Sequence, residues 1–324
     1  MTGPIRPLDP ATYERHAIHG EGRAWAETNC YVDVMVELLH GLGFEPIAAL
    51  PVTFRIDFEG DQWTFFKFPH ADLLQLYGLD VQELNPWRSL VHHIDEQVAL
   101  GRPVLVELDS FFLPDTQGTA YQLDHVKSTV AVNEIDIDAG HMGYFHGQGY
   151  FHVEGTDFEN LFQIDGLVHE RMLPPYIEYL KQISDPIEDG PALVQASLAC
   201  LRHHLKLVPS RNPFRAFRKR FETDLAWLMK EPLDTFHQYS FATLRQYGAC
   251  FELAETYLRW LATHGVEDLS GPLDAMSDIS NTAKALQFQL ARAVTRGREL
   301  SLDPVDQMAE RWEDGIGELR ERFV

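Results

Sequence analysis

The sequence predicts an α+β N-terminal half, with a cysteine-bearing helix packed on an antiparallel sheet, followed by an all-helical C-terminal half. Three observations lead there. A helical pattern follows Cys30 in "WAETNCYVDVMVELLHGLG", and segments rich in β-branched and aromatic residues cluster between about 48 and 155. From about 157 onward apolar residues recur with helical period. At 324 residues the chain exceeds what one core usually serves, so the reading divides it into domains 1–165 and 166–324.

Taken in order, Tyr31, Val34, Met35, Leu38, Leu39 and Leu42 form the i, i+3, i+4 stripe of a helix with one buried face. Thr28 or Asn29 can cap its start and Gly41 or Gly43 can end it, which places Cys30 in the first turn. "AALPVTFRIDFEG" and "QWTFFKF" read as strand-forming, and a helix is expected from Pro86 to Leu100. "RPVLVELDSFFL" reads as a buried strand with Glu107 and Asp109 on the face opposite Val106 and Leu108. Residues 125–155 read as two long strands joined by a turn near Asp138, Ala139 and Gly140. "TDFENLF" opens with a Thr-x-x-Glu capping box, and helices follow at 190–207, 212–230, 234–264, 270–297 and 303–322. Prolines between them suit a bundle with short connections.

Composition excludes several classes. A formal net charge of −22 argues against a general nucleic-acid binder, because phosphate contacts need a basic surface. No basic n-region with an apolar h-region opens the chain, and no run of about 18 apolar residues follows, so no membrane association is expected. Cys30, Cys200 and Cys250 are too few and too scattered for a disulfide framework or a structural zinc site, which points to a reducing cytoplasm. No glycine-rich phosphate loop of Walker or Rossmann spacing occurs, so no bound cofactor is expected.

The chemistry centres on Cys30. The thiolate is the nucleophilic form of cysteine, and the positive end of a helix dipole favours it. Space-filling is the alternative, since free cysteine is often buried. An acyl-transfer site also needs a base, a group to orient it and donors for an oxyanion. His125, at the head of a strand, supplies the base, and a helix-borne cysteine followed by a strand-borne histidine is the papain-like chain order. Pairing about a turn at 138–139 would set His125 opposite residues 151–153, making Glu154 the nearest orienting carboxylate and Asp157 the next. Gln148 and His146 are weaker choices for that third position. The Cys30 N–H and the Asn29 side chain are expected oxyanion donors, with Asp109 and Gln148 as further candidates to line the substrate site.

Other clusters carry weaker signals. His92 with His93, and His203 with His204, diverge on a helix and are expected at the surface. His141, His146 and His152 could meet on a hairpin, although no metal is assigned. "RNPFRAFRKRF" carries Arg211, Arg215, Arg218, Lys219 and Arg220 with no acid among them. It reads either as a solvated helix face or as a docking patch for an acidic partner.

Beyond these readings, "WAETNCYVDVMVELLHGLGFEP", "DFEGDQWTFFKFP", "LYGLDVQELN", "LVELDSFFLPDTQGTAY", "YFHGQGY" and "FHQYSFATLRQYGACFELAETYLRWL" resemble the bacterial family called domain of unknown function 1839, over nearly the whole chain. More distantly, the Cys-helix, "LDSFFLP", the Tyr121 to His125 spacing and the helical second half resemble butirosin biosynthesis protein H, an acyltransferase with a papain-like cysteine domain. That resemblance implies transfer of an acyl or aminoacyl group from a phosphopantetheine thioester on a carrier protein to a small amine. Hydrolysis by the same pair, or a non-catalytic carrier-binding module on a papain-like shell, are the alternatives.

Overall fold

The helix expected after Cys30 forms as α1, Cys30–Gly41, in the computed structural model, which describes residues 8–164 and 176–324. The Asn29 side chain caps it by accepting from the Val32 N–H at 2.9 Å. Burial departs from the single apolar face expected, because Asp33 and Glu37 on the polar side are covered as well. A buried carboxylate must be hydrogen-bonded. Glu37 accepts from the Tyr13 hydroxyl and, at 3.1 and 3.2 Å, from the His16 N–H, while His19 Nδ1 closes on the same group. The segment from Asp9 to Gly20 is thereby tied along the flank of α1.

After α1 the chain forms a 3₁₀ segment, Pro46–Arg55, and a minimal hairpin, β1 Phe58–Glu59 with β2 Gln62–Trp63. The strand reading of 48–60 is corrected here, since Pro51 cannot donate to a ladder and the flanking Ala48, Ala49, Leu50 and Val52 are all buried. Then follow α2 His70–Tyr77, β3 Leu79–Glu83, α3 Leu90–Ala99, β4 Val104–Asp109, β5 Lys127–Asp136, β6 His141–His146, β7 Gly149–Glu154, α4 Gly155–Phe162 and β8 Ile177–Gln182. These strands make one sheet in the order β3-β8-β4-β5-β6-β7, each pairing antiparallel.

Two further expectations change. Residues 125–155 make three strands, because the second strand folds back at Gly147 (φ 52°) and Gln148, where His146 pairs with Gly149. The capping box at Thr156 does not form: α4 starts two residues earlier, with Glu154 as its N-cap.

The sheet is covered on both faces. Val104, Val106, Leu108, Val130, Val132, Met142, Tyr144 and Val153 pack with Val91 and Ile94 of α3 and Phe158, Leu161 and Phe162 of α4. The other face carries α1, where Gly41 lets the helix approach the Phe145 ring more closely than a side chain would allow.

The C-terminal half is helical: α5 Pro191–Leu207, α6 Pro213–Leu228, α7 Leu233–Ser240, α8 Gln246–Thr263, α9 Ser270–Arg296 and α10 Asp303–Phe323, with a π turn at Phe241–Arg245 between α7 and α8. Asn212 caps α6 through the N–H groups of Phe214 and Arg215. Two compact units result. One contains residues up to Gly20, Asn29–Pro46 and Pro69–Ile187; the other contains Glu21–Thr28, Ile47–Phe68 and Glu188–Val324. The boundary expected at 165/166 lies outside the described residues. In the helical unit the Trp25 indole donates to Ser280 Oγ at 3.0 Å and packs against Gly248. Among the described residues no helix is long and apolar enough to cross a membrane.

Candidate active site

Cys30 is the first residue of α1, and its thiol is exposed. Its sulfur accepts a hydrogen bond from the Thr129 hydroxyl at 3.5 Å. Thr129 lies on β5 opposite Glu107 of β4, and Lys127 lies opposite Asp109. Side chains alternate along a strand and paired residues share a face, so Thr129, Lys127, Glu107 and Asp109 line the sheet face that carries α1. Lys127 Nζ meets Glu107 Oε1 at 2.7 Å.

His125 stands just before β5, where the ladder still holds through the Ser110 N–H to Val126 carbonyl bond at 2.8 Å. Its Nδ1 lies 2.6 Å from Asp109 Oδ2, and its ring stacks on Phe111 with centroids 4.4 Å apart and planes 9° from parallel. The second Asp109 oxygen accepts from the Phe111 N–H at 3.1 Å. An ionised carboxylate only accepts, so in the neutral imidazole Nδ1 carries the hydrogen and Nε2 the lone pair.

The expected Cys30 and His125 therefore share a sheet face without a direct hydrogen bond. Along β5 their anchor points, Thr129 and His125, are separated by four residues, about 13 Å of extended strand. The Lys127–Glu107 pair occupies the interval.

The carboxylate that meets His125 is Asp109, whereas Glu154 and Asp157, expected there, meet other side chains. The turn at Gly147 and Gln148 pairs β7 with β6, so Glu154 falls opposite His141 and bonds its Nδ1 at 3.1 Å. Asp157 accepts instead from the Tyr121 hydroxyl at 2.7 Å, fixing the loop that leads to His125. His146 is held by Asp115, 2.6 Å from Nδ1, and the same aspartate accepts from the Tyr144 hydroxyl. Gln148 lies at the β6–β7 turn and accepts from Arg15 at 3.4 Å, so it does not meet His125. The Asn29 carbonyl oxygen is committed to capping α1.

Behind Cys30, the next helix residue Tyr31 faces Glu178 of β8. Burial, and then the adjacent Glu178 carboxylate, push the Tyr31 hydroxyl far above the ordinary phenol range. Glu178 is 1% exposed and accepts from the Tyr176 hydroxyl at 2.9 Å. Sequence reasoning missed Thr129 beside the cysteine, Glu178 and Tyr176 beside Tyr31, and Lys127 between Thr129 and His125. The alternation of Glu107 and Asp109 in "LVELD" was the available signal; the register that brings β5 and β8 alongside has none in a single sequence.

The remaining candidates settle elsewhere. Cys200 and Cys250 are buried, and burial pushes the Cys250 thiol well up. His204, expected at the surface beside His203, is 1% exposed. His93 Nε2 accepts from the Trp87 and Arg88 N–H groups. The arginines of the basic segment are ion-paired: Arg211 with Glu59, Arg215 with Glu313, Arg218 with Asp306 and Glu222, and Arg220 with Asp224. Among the described residues Lys219 has no ion pair.

Two family models match the chain, the DUF1839 N-terminal domain over residues 14–182 and the DUF1839 C-terminal domain over residues 190–321. No curated protein matches it. The two matches span both compact units, and the chain belongs to the DUF1839 family.

Proposed function

We propose that this chain is a cysteine-dependent acyltransferase of papain-like design, with Cys30 as nucleophile and the His125–Asp109 pair as its base. The observation that carries the reading is an exposed helix-start thiol on the same sheet face as an imidazole whose Nδ1 is fixed by a carboxylate. A fixed Nδ1–H leaves Nε2 to accept a proton, which is the role a general base needs. With the anchor points about 13 Å apart along β5, the reading requires Cys30 and His125 to be brought together when an acyl donor is bound.

The chemistry balances as two acyl exchanges. The Cys30 sulfur attacks the thioester carbonyl while His125 Nε2 takes the thiol proton; the donor thiolate leaves and receives that proton. An amine then attacks the acyl-enzyme, its proton passing through His125 back to the Cys30 sulfur as the amide departs. The Cys30 backbone N–H, one of the unsatisfied donors of the first turn, suits the oxyanion. Exchange between thioesters is nearly isoenergetic, so a phosphopantetheine thioester on a carrier protein is the donor class the chemistry fits, with a small amine as acceptor. Because its arginines are paired, the 211–220 segment adds no support for a carrier dock.

Incubation with an acyl N-acetylcysteamine thioester and a panel of primary amines tests the reading, with products resolved by mass spectrometry. Amide formation above the spontaneous rate, absent in Cys30→Ala, is expected. Free acid with no amide at any amine concentration would instead make the protein a thioester hydrolase.

A further inference from the structure

At the other end of β5, where it pairs with β6 and then β7, stands a second cluster that the proposed chemistry does not use. Sequence alone suggested that His141, His146 and His152 could meet. Strand register divides them, because His146 goes to Asp115 while His141 and His152 converge with Glu134.

A β-bulge produces the convergence. Val132 pairs with Tyr144 and Glu134 pairs with Gly143, so Asn133 is an extra residue in β5. Without it Glu134 would point to the opposite face; with it Glu134 joins the face of His141 on β6 and His152 on β7. Gly143, between Glu134 and His152 in the same row, has no side chain to fill the space. A Cβ there would lie 2.1 Å from the Tyr150 hydroxyl, which leans over the glycine and donates to Glu134 Oε2 at 3.4 Å.

The donors are arranged as ligands. One donor atom from each of Glu134, His141 and His152 lies within 4.8 Å of the others. Glu154 holds His141 Nδ1 at 3.1 Å, which turns Nε2 toward Glu134, 3.8 Å away. A carboxylate on the outer nitrogen is the usual support for a metal-bound imidazole. Among the described residues His152 Nε2 is buried with no hydrogen-bond partner to offset its desolvation.

We propose that Glu134, His141 and His152 bind a divalent first-row transition ion of the zinc type, through two imidazole nitrogens and one carboxylate oxygen. Imidazole selects such ions over magnesium and calcium, which take oxygen ligands. Three protein ligands on adjacent strands leave at least one position open to water or a small ligand.

The test uses the full chain carrying Cys30→Ser, so that the thiol cannot contribute, freed of metal by chelation and titrated calorimetrically with zinc chloride. One zinc per chain is expected, with no binding of magnesium chloride at the same concentrations. His141→Ala, His152→Gln and Glu134→Gln should each weaken zinc binding at least tenfold, whereas His146→Ala should not. Melting of the metal-free variants checks the fold: each should keep a cooperative transition, and zinc should raise the melting temperature of the parent and of His146→Ala but not of the other three. Absence of one-to-one zinc binding overturns the proposal. So does affinity unchanged in both His152→Gln and Glu134→Gln.

Discussion

His125 and Asp109 form the best-fixed pair on the proposed catalytic face, with Nδ1 of one 2.6 Å from Oδ2 of the other. Asp109→Asn should lower acyl transfer by about 10²–10⁴, the contribution usual for positioned acid–base catalysis. Glu154→Gln and Asp157→Asn should lose far less, because those carboxylates serve His141 and Tyr121. A parallel kinetic comparison of the three variants decides the assignment, and a larger loss in Glu154→Gln would reverse it.

Thiol labelling separates the three cysteines by exposure. In the native protein iodoacetamide should modify Cys30 at least tenfold faster than Cys200 or Cys250, which are buried. Peptide mapping after timed quenching reads the rates. Denaturation should equalise them.

The buried pair of His19 and Glu37 makes stability depend on pH on both sides. Burial alone would lower the His19 value, but its hydrogen bonds to Asp33 and Glu37 outweigh it and hold the imidazole above 6.5. Burial alone would raise Glu37, but His19, Tyr13 and the His16 N–H bring it below 4.5. The histidine contribution is complete below its unfolded value and lost as pH rises through the folded one. The glutamate contribution is complete above 4.5 and lost as pH falls through its folded value. His19→Gln should therefore cost about 3–5 kcal/mol near pH 6, the range for breaking a buried ion pair. Its deficit relative to wild type should shrink as pH rises beyond 6.5. Denaturant melts across pH 5–9 check this, and a deficit constant with pH would contradict it.

In the helical unit, a methyl group at Gly248 would sit 2.2 Å from Trp25 Cζ2. Gly248→Ala should destabilise by about 1–3 kcal/mol, the usual range for overpacking, although alanine is the better helix former. Thermal unfolding measures it.

Local pattern carried most of the secondary structure. The helices expected at 190–207 and 270–297 form as Pro191–Leu207 and Ser270–Arg296, because their apolar period and flanking proline and glycine act within one turn of the chain. Cys30 at a helix start and His125 at a strand head were legible for the same reason. The third residue was not. A two-residue turn at Gly147 and Gln148 displaced Glu154 from His125, and tertiary strand order placed Asp109 there, facts set by pairing between segments. The partners of the basic segment were hidden for the same reason: the acids that pair with Arg215 and Arg218 come largely from residues 306 and 313, about ninety positions away. The 3₁₀ segment at Pro46–Arg55 escaped because buried β-branched residues look alike in a strand and in a covered turn of helix.

Everything proposed for this chain turns on Cys30 accepting an acyl group from a thioester. Intact-mass spectrometry after brief incubation with an acyl N-acetylcysteamine thioester, without amine, tests it most directly. One acyl adduct per chain is expected, mapped by peptide digestion to Cys30, absent in Cys30→Ala and formed about 10²–10⁴ more slowly in His125→Ala. Adduct formation undiminished in Cys30→Ala, or none in the wild-type protein at any thioester concentration, would contradict it.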